Sequence, residues 1–287
     1  MQYSLGPLLY CWQKADVLNF YQKVAESQIP LVYISETVCS RRRELTNKDY
    51  LALAYELKEA GKQVVLSTMT LIENQSELTE MKKFIDNGDF MIEANDMGGV
   101  QLAREYKLPF VSGAEINHYN LASLKLLKKY GMVRFVMPVE LSKDWLTQVI
   151  GEDKSQLGFE VEVTGYGYLP LAHSARCFTA RHLGLLKDKC DTACLNYSKG
   201  ILLQTQEDQS LLRINGIQTQ SASLINLQNQ VADMEFMGVD YFRVLPNGLG
   251  SIDLANRFIN QNPHNNDATD SQYCNGYWYG DAGILNR

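Results

Sequence analysis

The first half of the chain repeats one unit, a short apolar run followed by an amphipathic stretch. Each run has about five to eight residues rich in Val, Ile, Leu, Phe or Tyr, as buried parallel strands do, and one unit takes about 25 residues. Because the units are short and regular, and no G-x-G-x-x-G follows the first run, we predict a TIM-type (β/α) barrel of the α/β class rather than an open doubly wound sheet. The predicted strands are 3–10, 31–35, 63–67, 90–93, 110–113 and 133–139.

Amphipathic stretches between these strands predict the helices of the barrel. Thr46 and Ser142 stand where an N-cap is expected, and Asp96 and Asn120 are also interpreted as caps of the helices that follow them. The predicted helices are 16–27, 46–62, 76–88, 120–131 and 142–152.

The second half departs from this regularity. Residues 159–167 alternate apolar and polar side chains, which predicts strand seven. Residues 175–210 then form a cysteine-rich segment, predicted as an insertion after strand seven, and the polar residues 263–287 are predicted as an irregular tail. No Pro/Ser-rich linker interrupts the chain, so we predict one domain, 1–287. Further strands are predicted at 210–220 and 240–246, and further helices at 222–238 and 251–262.

Charge and apolar patterning exclude several classes of protein. The net charge is −6, from 27 Lys and Arg against 33 Asp and Glu, which argues against tight electrostatic binding of nucleic acid or of an anionic membrane. The start of the chain has no signal-peptide pattern, and no run approaches the roughly 18 apolar residues of a transmembrane helix. We therefore expect a cytoplasmic protein, in which disulfides are uncommon and six cysteines indicate metal binding or catalysis.

Half of the cysteines, Cys177, Cys190 and Cys194, lie close together in the sequence. A helix at 190–194 would place two of these thiols on one face. Cys39 is the favoured fourth partner, because it follows strand two and the carboxyl ends of barrel strands meet on the face where the insertion begins. The apolar surroundings of Cys11 suit a plain buried cysteine, and Cys274 lies in the tail.

Two kinds of metal centre fit these cysteines. Structural zinc sites usually pair C-x₂₋₄-C knuckles, whereas this chain has one x₃ pair and two isolated cysteines. Iron–sulfur clusters tolerate more varied spacing, so a cluster is favoured, with a structural zinc scaffold as the alternative. Unrelated buried cysteines are the third interpretation.

Polar residues that follow the predicted strands are candidate substrate contacts. Arg41 and Arg43 flank Arg42, two to four positions after Cys39, where a guanidinium can bind an anionic substrate, although a solvated charge run gives the same pattern. Asn117 is expected to project from the barrel rim, and Tyr166 lies at the end of strand seven.

Two carboxylates on one face of strand seven, Glu160 and Glu162, are candidates for acid–base chemistry. A salt bridge with Arg134 or Arg213 is at least as good an interpretation, because buried carboxylates need partners.

Several stretches together resemble the collagenase-like peptidase family over nearly the whole chain. They include ETVCSRRR at 36–43, SARCFTAR at 174–181 and KCDTAC at 189–194. The resemblance is to members that act in oxygen-independent ubiquinone biosynthesis, and it implies a [4Fe–4S] cluster on Cys39, Cys177, Cys190 and Cys194. No H-E-x-x-H, G-x-S-x-G or Cys/His protease signature supports proteolysis.

The same resemblance implies partners and an oxygen donor. Such members form a heterodimer with a homologous UbiU-like subunit for anaerobic ring hydroxylation, and prephenate is the suggested oxygen donor of the family. Other members hydroxylate RNA, which leaves an RNA-base hydroxylase as an alternative, although the acidic charge disfavours it. Because the quinone precursor is apolar, a lipid carrier protein is a further candidate partner.

Overall fold

Eight parallel strands close into a barrel in the computed structural model, which describes residues 1–151, 154–260 and 272–287. Each of the first seven strands pairs with the next, and the last pairs with both the first and the seventh. The TIM-type barrel is therefore confirmed. Its strands are β1 (Gln2–Leu5), β2 (Leu31–Ile34), β3 (Gln63–Ser67), β4 (Met91–Ala94), β5 (Phe110–Ser112), β6 (Met132–Val136), β7 (Glu160–His173) and, later in the chain, β11 (Tyr241–Val244).

Helices follow the barrel strands and cover their outer faces. Thr46 caps the second helix in a reciprocal capping box with Asp49, and the predicted caps Asp96, Asn120 and Ser142 each accept a backbone N–H. The helices are α1 (Lys14–Ala25), α2 (Asn47–Glu59), α3 (Gln75–Ile85), α4 (Met97–Glu105), α5 (Leu121–Lys129), α6 (Lys143–Ile150), α7 (Phe178–His182), α8 (Val231–Met237) and α9 (Gly250–Ile259). Among the described residues, none of these helices is both long and apolar enough to cross a bilayer.

The chain between β7 and β11 forms antiparallel strands that join the barrel along the carboxyl-terminal part of β7. These are β8 (Ile201–Gln204), β9 (Ser210–Asn215) and β10 (Gln218–Asn226), with β10 paired to β7. Near the end of the chain, β12 (Tyr273–Cys274) pairs with β10, so the described part of the predicted irregular tail contains a short strand.

Three predictions of local structure were wrong. Residues 210–220 form a hairpin rather than one strand, because Gly216, with φ +67°, lets the chain reverse after Asn215. The helix predicted at 222–238 begins only at Val231, since the preceding residues pair with β7 and β12. The first strand ends at Leu5, ahead of Pro7, which has no N–H for the sheet.

Other differences concern helices. The pattern missed α4, whose Gly98 and Gly99 weaken the helical signal. Residue 152 of the predicted sixth helix, residues 261–262 of the predicted last helix and residues 263–271 of the predicted tail lie outside the described residues.

The barrel has an apolar outer layer and a partly charged interior. Side chains of the strands and helices that face one another form the main core, with fully buried members such as Phe20 on α1, Phe110 on β5 and Phe242 on β11. A smaller apolar cluster includes Tyr33, Val65 and Tyr241. Charged side chains are also fully buried, which requires that each be paired.

Candidate functional site

Buried ion pairs fill the barrel interior. Arg243 on β11 donates from Nε to Glu162 Oε1 (2.8 Å) and from Nη1 to Glu93 Oε1 (2.7 Å). Tyr33 OH and Ser4 Oγ each donate to Glu162 at 2.5 Å. Interaction with Arg243 lowers the pKa of Glu162 against the opposing effect of burial, so this carboxylate stays charged in the interior.

Arg134 extends this network to Glu160, the first residue of β7. Its Nε and Nη2 donate to Glu160 Oε2 (3.0 and 2.8 Å), and its Nη1 donates to Tyr33 OH (2.9 Å). Nη1 also lies 3.7 Å from Glu162 Oε2. The predicted salt bridge of Glu160 and Glu162 with Arg134 is therefore confirmed, and Arg243, rather than Arg213, is the second partner.

A cavity of about 210 Å³ lies at the carboxyl ends of β3, β5, β6 and β7. We call it the mouth cavity, and its polar lining is Thr70, Glu115, Asn117, Glu140 and His173. A smaller cavity of about 30 Å³ lies next to it and shares Thr70 and Glu115. Arg243 lines the smaller cavity, and its Nη2 is buried without a hydrogen-bond partner.

Contacts and electrostatic interactions link five of the six cysteines. Cys39 lies in the loop after β2, and its side chain packs with Cys177 against a small cluster of apolar side chains. Cys177 caps α7 and interacts electrostatically with Cys190 and Cys194. Cys11, after β1, is in hydrogen-bond contact with Cys194. Cys274 is buried in β12, where its thiol donates to the carbonyl of Ser223 at 3.6 Å.

Cys190 and Cys194 do not share a helix. Each belongs to or borders a separate 3₁₀ turn, and Asp191 and Thr192 between them have positive φ angles of 44° and 52°. The expected single helical face was therefore wrong, and the thiols approach one another through an irregular turn.

Arg42 is a cation that interacts electrostatically with Cys11, Cys39 and Cys194. It is buried, donates from Nη1 to the carbonyl of Leu9 and from Nη2 to Asn215 Oδ1 (both 2.7 Å), and lies 3.6 Å from Glu36 Oε1. Hydrogen bonding from Cys11 and the charge of Arg42 together lower the pKa of Cys194 to about 6, although burial opposes them. Burial instead raises the pKa of Cys39 and of Cys177.

Contacts with the barrel loops hold the cysteine-rich segment in place. Arg41 in the loop after β2 pairs with Asp188, and Lys187 Nζ lies 2.5 Å from Glu73 Oε1. Trp12 Nε1 donates to the carbonyl of Ser198 at 2.8 Å. These contacts join the segment to the loops after β1, β2 and β3.

The cysteine thiols are chemically suited to bind an iron–sulfur cluster. The described side chains, however, are not arranged as a complete set of ligands around one centre. Thiols are the ligands that such clusters use, and Arg42 can offset part of the charge of several thiolates. Within residues 1–151, 154–260 and 272–287, no three His, Cys, Asp or Glu side chains are arranged to hold a metal ion. The ligand set Cys39, Cys177, Cys190 and Cys194 stays a prediction.

The candidate substrate contacts lie in different surroundings. Asn117 lines the mouth cavity in a left-handed backbone conformation (φ +59°). Arg41 and Arg43 are exposed and line a separate groove between α2 and α3. Tyr166 is buried, with its ring against Phe258 and Tyr273.

Sequence reasoning gave too little weight to Arg42, Cys11 and Glu115. Arg42 stands between two exposed arginines, and nothing in a run of three identical residues indicates which one turns inward. Cys11 follows strand one, and the barrel topology alone would have permitted it to reach the other cysteines.

Comparison with known proteins identifies the family. The profile of Peptidase family U32 matches residues 16–248, so the chain belongs to this family. The match confirms the resemblance at the level of the family. Over 121 residues the chain is 23% identical to the tRNA hydroxylation protein P of Escherichia coli strain K12, which covers 42% of this chain and 26% of that protein. The chain thus matches about a quarter of the length of that relative.

Solved structures with some likeness include the 7,8-dihydropteroate synthase of Vibrio fischeri ES114. It is 11% identical with a TM-score of 0.39, and the match covers 91% of this chain and 94% of that one. The HPPK-DHPS protein of Plasmodium falciparum is 9% identical with a TM-score of 0.42, covering 93% and 48%. At these scores neither likeness supports a conclusion about function.

Proposed function

We propose that this chain is a UbiV-like subunit of an oxygen-independent ring hydroxylase in ubiquinone biosynthesis. In this proposal Cys39, Cys177, Cys190 and Cys194 hold a [4Fe–4S] cluster. One observation carries it: cysteines from the loop after β2 and from the segment after β7 meet around a buried arginine. Membership of the U32 family and the hydroxylation role in the name of the E. coli relative support it.

Residues of this chain position a positive charge beside the cysteines and fix the loop that carries Cys39. The cluster, when bound, would supply electron transfer or activation of the oxygen donor. Arg42 lies among the thiols and is anchored by the Leu9 carbonyl and Asn215. The backbone N–H groups of Val38 and Cys39 donate to Glu36 (2.8 and 3.0 Å), which fixes the loop that carries Cys39.

Iron and sulfide analysis of protein purified without oxygen tests the cofactor. We expect about four irons and four acid-labile sulfides per chain, and loss of the cluster in Cys39→Ala. Cys274→Ala is the matched control, because that thiol is buried in β12 on a backbone carbonyl. One zinc and no iron would instead indicate a structural zinc scaffold.

Cys11→Ala decides the choice of the fourth ligand. The proposal expects this variant to keep its iron, with at most a changed spectrum because Cys11 contacts Cys194. Loss of iron in Cys11→Ala together with retention in Cys39→Ala would show that Cys11, rather than Cys39, completes the ligand set.

The proposed partner is a homologous UbiU-like subunit, with a lipid carrier protein delivering the apolar precursor in the cytoplasm and prephenate as the oxygen donor. Co-expression with an affinity tag on this chain should recover the homologous subunit in a one-to-one complex. A chain that is fully active by itself would contradict this part of the proposal.

RNA-base hydroxylation is the second candidate, favoured by the name of the E. coli relative. A deletion strain separates the two functions. Loss of anaerobic ubiquinone with unchanged RNA hydroxylation supports the first proposal, and the reverse pattern supports the second.

A further inference from the structure

The mouth cavity contains a carboxyl group in an unusual setting. Glu115 Oε2 lies 3.4 Å from His173 Nδ1, and His173 Nε2 lies 3.0 Å from the amide nitrogen of Gln218. Because that amide nitrogen can only donate, His173 Nε2 accepts, and the ring proton of the neutral imidazole lies on Nδ1. His173 therefore orients the carboxyl group through Oε2, and Glu115 itself lines the cavity.

Burial and the neighbouring charges keep both Glu115 and His173 uncharged near neutral pH. Burial, together with the carboxylates of Glu93 and Glu140, raises the pKa of Glu115 to about 8, although Arg243 opposes the shift. Burial lowers the pKa of His173 to about 4. Glu115 thus carries a hydroxyl group that can donate a hydrogen bond.

We propose that the mouth cavity binds a small uncharged organic molecule by its carbonyl oxygen, with the carboxyl group of Glu115, oriented by His173, as the hydrogen-bond donor. A donor on the cavity wall calls for an acceptor on the ligand. Glu140 lines the same cavity and disfavours an anionic ligand. The volume of about 210 Å³ is below the roughly 300–1,000 Å³ of pockets for drug-sized ligands, so the ligand is small.

Binding of acetophenone to the full chain tests this site, with benzoate as a probe of similar shape that carries a charge. We expect the wild-type protein to bind acetophenone at about pH 6, with a lowered carbonyl stretching frequency, and not to bind benzoate. Affinity should fall as the pH rises through about 8, where Glu115 ionises.

Variants of Glu115 and His173 separate the effect of hydrogen-bond donation to the ligand from the effect of the cavity's shape. Glu115→Leu should weaken acetophenone binding by roughly three- to tenfold, the effect of one hydrogen bond. Glu115→Gln keeps an N–H donor and should bind without the pH dependence. His173→Leu removes the N–H that orients the carboxyl group, so binding should weaken and the pH midpoint should rise.

Glu140→Gln tests the exclusion of anions, because it removes a charge from the same cavity. It should gain benzoate binding, and its affinity for acetophenone should fall at a lower pH than in the wild-type protein, because the charge of Glu140 helps to raise the pKa of Glu115. Three results would each overturn the proposal: no acetophenone binding by the wild-type protein, equal binding by Glu115→Leu, or an unchanged pH dependence in Glu115→Gln. The assay needs neither cluster nor partner, so its failure is distinct from failure of the proposed function.

Discussion

Individual buried charges in the barrel interior are paired. Two neighbouring glutamates, Glu160 and Glu162, show how burial changes the contribution of an ion pair to stability. Glu162 is fully buried between Arg243 and Arg134, whereas the side chain of Glu160 is 44% exposed although it contacts the same Arg134. Removing one member of a buried ion pair leaves an uncompensated charge in a medium of low polarity, while an exposed partner is replaced by water.

We therefore expect Glu162→Gln to lower the free energy of unfolding by roughly 3–5 kcal/mol and Glu160→Gln by about 1 kcal/mol or less. Urea denaturation of the two variants measures the difference. The lowered pKa of Glu162 stabilises the fold above the ordinary value of 4.5, and this stabilisation is lost as the pH falls through the folded-state pKa. Equal effects of the two substitutions would contradict a buried network.

Glu115 makes stability fall as the pH rises, whereas Glu162 makes it rise. Its pKa rises from 4.5 to about 8 on folding, so the folded chain binds more protons and stability falls as the pH rises through that range. His173, whose pKa falls from 6.5 to about 4, has the opposing effect only up to pH 6.5. Between pH 6.5 and 8, Glu115→Gln should therefore lose less stability than the wild-type protein. If the stability of the two proteins changed equally with pH over this range, the pKa of Glu115 would not be raised in the folded chain.

At the scale of the elements, barrel closure depends on a close approach between β7 and β11. A Cβ added at Gly165 would lie 2.1 Å from the Phe242 ring, which is itself fully buried. Neither element can move away, because β11 is hydrogen-bonded to both β1 and β7.

Gly165→Ala should accordingly destabilise the protein by roughly 1–3 kcal/mol through overpacking. Gly248→Ala is the control, since nothing lies within 4 Å of a Cβ at that position. Thermal unfolding of the two variants provides the measurement. A Gly165→Ala protein as stable as the control would mean that the two strands separate more easily than their packing indicates.

At the scale of the whole molecule, one polar network joins distant parts of the chain. Arg243, Glu162 and Glu93 connect β11, β7 and β4, and Ser4 and Tyr33 bring in β1 and β2. These contacts join residues from both halves of the sequence. The single domain stays a prediction, which unfolding can test.

Unfolding in urea should therefore occur in one cooperative transition. Far-UV circular dichroism reports the whole barrel, while fluorescence reports Trp12, Trp145 and Trp278, which lie in different regions of the chain. Coincident transitions are expected for a single two-state domain. Two separate transitions would show that the cysteine-rich segment or the last residues unfold independently.

The amino-acid pattern alone determined the barrel, because apolar runs at one per strand–helix unit can be buried together in few other ways. It also identified the helix caps at Thr46, Asp96, Asn120 and Ser142, since these signals are local in sequence. Tertiary structure alone decided that Arg42 turns inward among the thiols, that Cys11 contacts Cys194, and that Glu115 meets His173. Each of those contacts joins segments far apart in the chain, and the direction of such a side chain depends on neighbours that no local pattern specifies.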